Sequence, residues 1–152
     1  QRDRFMTRIT MGYPSRDSEL EMLERHGAHN PLEELYPVTH GERITELIDV
    51  VGSVYVADVV KDYLVNIVAA TRSHDAVRLG ASPRASLHLI RTARAKAALA
   101  GRDYVIPDDV QAMAIPVLAH RLLPSTRAQL DGISPVDIVS QILTSTPVPE
   151  QA

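Results

Sequence analysis

The stretch GASPRASLHLIRTARAKAALAG, residues 80–101, determines the fold prediction. Ser82 and Pro83 form a favoured helix start, because a capping residue precedes a proline at the first helical position. The Ala, Leu and Arg residues that follow are good helix formers, and Gly101 is a natural stop. The stretch therefore predicts a long helix that runs to Ala100.

Similar helical patterns lie on both sides of this stretch. Apolar residues recur at helical spacing after Thr39, Asp58, Pro107 and Ser134. Short extended segments separate these patterns. We predict a mainly α protein in which four helices with wide aliphatic faces close a bundle.

The N-terminal region has a different pattern. Residues 2–13 alternate between polar and apolar side chains, which predicts a strand. Ser15 can cap a short helix that ends at Gly27, and Pro and Gly residues interrupt any periodicity in the connection that follows. We therefore place the strand in residues 1–14, the short helix and a linker in 15–37, a helical domain in 38–146 and a tail in 147–152.

The composition excludes several classes of function. The 152 residues include no cysteine, which rules out disulfides, thiolate metal sites and cysteine catalysis. A net charge of −3 gives no sequence-independent attraction to nucleic acid or to an anionic membrane. No apolar stretch approaches the roughly 18–20 residues that span a bilayer. We predict no nucleic acid and no membrane as partners.

Metal and phosphate-loop sites are also not predicted. His26 and His29 have no carboxylates placed around them, so they do not form a convincing metal site. A phosphate-binding loop needs Gly-Lys followed by Ser or Thr. Of the 16 basic residues only Lys61 and Lys96 are lysines, and neither follows a glycine. The chain alone therefore cannot form such a loop.

Arg84 is unusual because it lies in the first turn of its predicted helix. A cation there opposes the helix dipole by roughly 0.3–1 kcal/mol. The same turn has unpaired backbone amides, so amides and guanidinium together could hold an anion. His88 and Arg91 follow at spacings that place them on the same face. An exposed arginine without a role is the simpler alternative.

Several motifs, taken together, resemble one family. Gln1-Arg2-Asp3-Arg4-Phe5 and Arg8-Ile9-Thr10-Met11-Gly12-Tyr13-Pro14-Ser15 are similar to the closing strand of the ATPase core in MoxR-type AAA+ ATPases. The C-terminal lid of that family is matched, in order, by Ala70-Thr71-Arg72, Gly80-Ala81-Ser82-Pro83-Arg84-Ala85-Ser86, Gly101-Arg102-Asp103-Tyr104-Val105, Pro107-Asp108-Asp109-Val110 and Pro116-Val117-Leu118-Ala119-His120-Arg121. The resemblance implies a four-helix AAA+ lid preceded by a remnant strand and helix of the core.

The resemblance also implies roles for individual residues. Arg4 looks like the arginine finger, which reaches the γ-phosphate of ATP in the neighbouring subunit. Arg84 looks like the sensor-2 arginine, which contacts the γ-phosphate in its own subunit. Ser82, Pro83 and His88 would line the nucleotide site beside Arg84. A planar guanidinium suits the charge that phosphoryl transfer spreads over the γ-oxygens.

For the intact protein the resemblance implies ATP, Mg²⁺ and a homo-oligomeric ring, a hexamer, in the bacterial cytoplasm. It further implies chaperone-like maturation of protein complexes, with a von Willebrand A-type protein as a partner. The family's phosphate loop, Mg²⁺-binding motif and first sensor would precede Gln1, in an upstream ATPase core. We expect this chain to be a C-terminal part that neither binds ATP tightly nor hydrolyses it.

Two other functions fit the helical pattern. A DNA-binding module could present Arg84, Arg91 and Arg94 to phosphates, although the net charge of −3 weighs against it. A protein-interaction bundle could dock a partner on its helix faces, and this reading is compatible with a lid.

Overall fold

A computed structural model of the chain describes residues 2–26 and 31–149. The described chain forms helices α1 (Arg16–His26), α2 (Gly41–Ser53), α3 (Asp58–Ser73), α4 (Pro83–Leu99), α5 (Pro107–Leu118), α6 (Thr126–Leu130) and α7 (Pro135–Ser145). Strands β1 (Val77–Leu79) and β2 (Leu123–Pro124) pair antiparallel, and 3₁₀ turns cover Arg2–Arg4, Pro31–Glu34 and Ala119–Arg121. The helix end predicted at Gly27, the adjoining part of the linker, His29, Gln1 and the last residues of the tail lie outside the described residues.

The described residues divide into two compact units. The smaller unit is Ile9–Leu47, and the larger unit contains the residues up to Arg8 and from Ile48 onward. Every residue predicted for the functional site lies in the larger unit. The domain bounds drawn from the sequence stay a prediction.

The core of the larger unit is aliphatic and lies between four helices. Helix α4 packs on α3 and α5, and α7 contacts α3 and α5. The largest fully buried side chains include Ile67, Leu89, Leu118, Ile138 and Ile142. The prediction of a mainly α bundle is confirmed, and burial of the apolar helix faces is its main source of stability.

The start and the end of α4 are as predicted. Pro83 is the first helical residue after Ser82, and α4 ends just before Gly101. Gly101 has a φ of 73°, a left-handed conformation in which glycine alone carries no steric cost. The backbone N–H of Arg102 then returns to the carbonyl of Ala97 at 3.0 Å. Local sequence signals therefore fix both ends of this helix.

An ion pair joins the end of α4 to the start of α5. The guanidinium of Arg102 donates to both carboxylate oxygens of Asp109 at 2.7 Å each. Asp109 also accepts from the backbone N–H of Ile106 at 3.0 Å, which satisfies a donor that α5 leaves free at its N-terminus. The Asp109 side chain is only 3% exposed, so these bonds replace its hydration.

The prediction of a strand in residues 2–13 is wrong. Arg2–Arg4 form a 3₁₀ turn, and no strand follows in the described chain up to residue 13. Phe5, Ile9 and Met11, the apolar side of the predicted strand, are 68%, 81% and 97% exposed. A strand needs a neighbour to pair with its backbone, and the described residues provide none beside this segment. The remnant strand of the predicted fold is therefore absent from the described residues.

Candidate functional site

The site begins where α3 holds the loop that leads into α4. The hydroxyl of Thr71 donates to the carbonyl of Val68 and accepts from the backbone N–H of Ala81 at 3.0 Å. Arg72 Nε donates to the carbonyl of Ala81 at 2.8 Å. Both backbone groups of Ala81 are thus fixed from α3, which sets the position of the next residue, Ser82.

Gly80 makes this contact possible. A Cβ atom at position 80 would lie 2.6 Å from the carbonyl oxygen of Thr71 and 2.8 Å from backbone atoms of Arg72. Backbone atoms cannot rotate away as a side chain does, so any larger residue would push the loop off α3. The glycine therefore allows the close approach that places the start of α4.

The N-terminus of α4 has no side-chain cap. Ser82 occupies the N-cap position with extended backbone angles, but its hydroxyl makes no capping bond. Instead, Ser82 Oγ donates to Asp3 Oδ2 at 2.9 Å. Pro83 has no N–H, and the N–H of Arg84 has no acceptor within the helix because it lies in the first turn. The turn keeps an unpaired amide beside a cation.

Arg84 and Arg4 are the two predicted phosphate-binding arginines. Both are exposed, and neither has a carboxylate within ion-pair distance in the described part of the chain. The charge of Arg84 nevertheless acts on its surroundings, since it helps to lower the pKa of Asp3 and of His88. Two cations available to an anion are therefore present, and their predicted roles stay a prediction.

A buried arginine that the sequence analysis did not single out connects these groups. Among the described residues, Arg121 is the one buried basic residue, with a side chain 1% exposed. Its Nε donates to Asp3 Oδ1 at 3.1 Å. Its two terminal nitrogens contact the backbone carbonyls of Asp3, Phe5, Met6 and Val117 and the ring nitrogens His120 Nε2 and His88 Nδ1.

These partners favour the ionised form of Asp3. Burial by itself would raise the pKa of Asp3, but the Ser82 hydroxyl and the Arg121 guanidinium outweigh burial and hold it below 3.8. Asp3 therefore bridges two elements as a carboxylate, with one oxygen on Ser82 and the other on Arg121. We name Asp3, Ser82 and Arg121 the Asp3 bridge.

His88 is neutral at physiological pH. Desolvation, followed by the charges of Arg121, Arg84 and Arg91, lowers the pKa of His88 below 6.5. Its Nδ1 lies against the Arg121 guanidinium, which can only donate, so Nδ1 is the accepting nitrogen. Of the predicted nucleotide-site residues, Ser82 and His88 thus make contacts within the protein, whereas Arg84 projects from the same helix end without a partner among the described residues.

Sequence reasoning missed Arg121 although it quoted the motif that ends there. The available signal was weak: Arg121 follows the apolar run 112–119 after one intervening residue, His120. Its partners Asp3, Phe5 and Met6 are more than a hundred residues away in sequence, so no spacing rule could identify them.

The described residues contain neither a metal-binding cluster nor a membrane-spanning helix. No group of three or more His, Asp and Glu side chains there is placed to hold a metal ion. No helix within those residues has the length and apolar character needed to cross a bilayer.

Residues 69–142 match the AAA lid domain family. The chain is 42% identical over 151 residues to the protein YeaC of Bacillus subtilis, covering 99% of this chain and 47% of that protein. It is 37% identical over 159 residues to the chaperone MoxR1 of Mycobacterium tuberculosis, covering 99% of this chain and 42% of that protein. The chain thus spans a little less than half the length of these relatives.

A solved structure has the same fold. The structure of a candidate ATPase from Cytophaga hutchinsonii superposes with a TM-score of 0.86 at 29% identity, covering 97% of this chain and 48% of that one. The superposition includes nearly the whole chain, so the likeness extends beyond the residues that match the lid family.

Proposed function

Because the chain belongs to the MoxR family of AAA+ ATPases and includes their lid domain, we propose that it is the lid region of a protein that binds and hydrolyses ATP. Arg84 contacts the γ-phosphate in its own subunit, and Arg4 contacts the γ-phosphate held by the neighbouring subunit. The observation that carries this proposal is the pair of exposed arginines without carboxylate partners in the described chain, on two elements that the Asp3 bridge joins.

The chemistry suits both arginines. Phosphoryl transfer is catalysed mainly by positioning and by stabilising the charge that spreads over the γ-oxygens. A guanidinium meets two oxygens at once, and the unpaired first-turn amide beside Arg84 adds a second donor. Mg²⁺ supplies further neutralisation of the phosphate charge, but the described residues contain no cluster that would hold it. We assign the phosphate loop and the Mg²⁺ ligands to the ATPase core, as the family resemblance implies.

The roles proposed for Arg4 and Arg84 imply how the subunits assemble. A finger that acts on a neighbour requires subunits arranged head to tail, and such an arrangement forms a ring when its rotation closes. We propose a homo-oligomeric ring, a hexamer, in the bacterial cytoplasm. The similarity to the chaperone MoxR1 supports a chaperone-like role. We propose that this role is the maturation of protein complexes, with a von Willebrand A-type protein as a candidate partner.

The test is ATP hydrolysis by the full-length protein and its variants. Arg84→Ala and Arg4→Ala should each reduce kcat by at least about 10³-fold, the lower end of the effect of an arginine finger. A mixture of the two variants should regain activity, because some interfaces then pair an intact Arg4 with an intact Arg84. The control is Arg127→Ala, which removes another exposed arginine, on α6, and should leave kcat unchanged.

Two results would contradict the proposal. One is full activity of both single variants, which would show that neither arginine takes part in the reaction. The other is failure of every mixing ratio to restore activity, which would place Arg4 and Arg84 in the same site. The 152-residue chain on its own should hydrolyse no ATP, and turnover that Arg84→Ala abolishes would overturn that expectation.

A further inference from the structure

Arg121 is a buried cation whose contacts converge on one short segment. Of its hydrogen-bond partners, the carbonyls of Asp3, Phe5 and Met6 and the carboxylate of Asp3 all belong to the segment that carries Arg4. A buried guanidinium costs several kcal/mol to desolvate unless its N–H groups are satisfied. The segment supplies that satisfaction, so it is tied to the position of Arg121.

These contacts lie on both sides of Arg4. The carbonyl of Asp3 precedes Arg4 and those of Phe5 and Met6 follow it, so the backbone that bears Arg4 is fixed at both ends. The backbone N–H of Arg8 adds a further tie, to the carbonyl of Pro116 at 2.9 Å. The side chain of Arg4 itself stays exposed and is left available for a ligand.

The same segment is tied to the helix that bears Arg84. Asp3 Oδ2 accepts from Ser82 Oγ at 2.9 Å, and Arg84 follows two residues later. The Asp3 bridge therefore spans from the turn after α5, through the Arg4 segment, to the N-terminus of α4. The two elements that bear Arg4 and Arg84 are thus joined through one carboxylate.

We propose that Arg121, acting through Asp3, is a positioning residue for Arg4. It touches no nucleotide. It holds the Arg4 segment on the lid so that the guanidinium of Arg4 is presented at the correct place for the neighbouring subunit. The inference rests on the proposed function, because positioning matters only if Arg4 acts on a phosphate.

The expected kinetic effect follows from this role. A misplacement of about 1 Å can cost roughly 10²-fold in rate, because catalytic groups must reach the transition state in the right geometry. Asp3→Ala should therefore lower kcat for ATP about 10-fold to 100-fold, while KM for ATP changes less than about threefold. Loss in kcat alone is the mark of an interaction made in the transition state, which a merely structural defect would not produce selectively.

Mixing experiments in the full-length protein identify which arginine is affected. Asp3→Ala mixed with Arg84→Ala should regain activity, since the Arg84→Ala subunit still offers a correctly held Arg4 to an intact site. Asp3→Ala mixed with Arg4→Ala should regain none, since both subunits then lack a working Arg4. The reverse pattern, or an unchanged kcat in Asp3→Ala, would overturn the inference.

Further variants keep the test decisive. Asp58→Ala is the matched control, because it removes an exposed carboxylate that pairs with Lys61 at 2.8 Å on α3, and it should leave kcat unchanged. Ser82→Ala and Arg121→Lys weaken the bridge at its other two members and should lower kcat in the same way. If Arg4→Ala and Arg84→Ala are themselves active, the proposed function fails. If they are inactive while all bridge variants are normal, only the inference fails.

Discussion

The two ends of α4 are both secured by an arginine–carboxylate pair, but the pairs differ in reach. At the C-terminal end, Arg102 and Asp109 are seven residues apart, and the pair closes the turn into α5. At the N-terminal end, Arg121 and Asp3 are 118 residues apart, and the pair recruits a separate segment. A local pair completes the fold, whereas the long-range pair brings a candidate catalytic arginine to it.

The two pairs also differ in which member is buried. At the C-terminal end the carboxylate is the buried member, with Asp109 3% and Arg102 24% exposed. At the N-terminal end the guanidinium is buried, with Arg121 1% and Asp3 41% exposed. Asp109 accepts from both Arg102 and Ile106, whereas Arg121 has backbone carbonyl acceptors in addition to the Asp3 carboxylate. Stability should therefore depend more on Asp109 than on Asp3, while activity should depend on Asp3.

The largest expected effect on stability is at the C-terminal end of α4. Asp109→Ala leaves the N–H of Ile106 without its acceptor and the guanidinium of Arg102 with the carbonyl of Tyr104 alone, and it should lower the free energy of unfolding by about 3 kcal/mol. Denaturant unfolding monitored by circular dichroism measures the change. The matched variant is Asp3→Ala, for which we expect a smaller loss of about 1 kcal/mol, because the Arg121 guanidinium keeps its backbone carbonyl acceptors. Equal losses of unfolding free energy in the two variants would contradict the expected difference between the two ends of α4.

The second expected effect tests how the N-terminal end of α4 is placed. Gly80→Ala forces a Cβ against the backbone of Thr71 and should lower the free energy of unfolding by about 2 kcal/mol. The control is Gly52→Ala in α2, where no atom lies within 4 Å and the helix gains a better helix former. Thermal unfolding of both variants compares them directly. A Gly80→Ala protein as stable as the parent would show that the loop before α4 is not held tightly on α3.

The smallest expected effect is a pH dependence confined to the N-terminal end of α4. The pKa of His88 is lowered in the folded protein, so below the ordinary pKa of 6.5 the unfolded chain takes up a proton first. The free energy of unfolding should therefore be constant above pH 6.5 and fall as the pH drops from 6.5 towards the folded pKa. His120, whose pKa burial also lowers, contributes in the same direction.

His88→Gln is the variant that assigns this pH dependence. Its amide oxygen can still accept from Arg121, but it does not titrate, so the slope of stability against pH between 5 and 6.5 should decrease. Urea unfolding at several pH values gives the slope. A slope that is unchanged in His88→Gln would mean that another group, such as His120, carries the whole effect.

The sequence predicted those features that local interactions determine. The start of α4 at Pro83, the glycine stop at Gly101 and the position of Arg84 in the first turn follow from capping and steric rules that act over a few residues. The bundle itself was predictable because the apolar faces recur with helical periodicity. The same rules failed for residues 2–13, where alternation predicts a strand only if a neighbouring strand exists.

The candidate site was predicted in part. Arg84 could be recognised because a cation in the first turn of a helix opposes the helix dipole. The Asp3 bridge could not be recognised, because nothing in the sequence around Arg121 indicates that its partners lie near residue 3. Contacts between residues so far apart leave no local pattern in the sequence. The polar groups that satisfy a buried guanidinium can be identified only when the fold is known.

The span of the Asp3 bridge has a consequence for how the chain folds. Closing a loop of 118 residues costs more chain entropy than forming the helix contacts of the bundle, and one ion pair repays little of that cost before the bundle exists. We therefore expect α3, α4, α5 and α7 to assemble first and the Arg4 segment to dock last. The last contacts made are also the first to open, so the segment is the part of the larger unit that can detach without unfolding the rest.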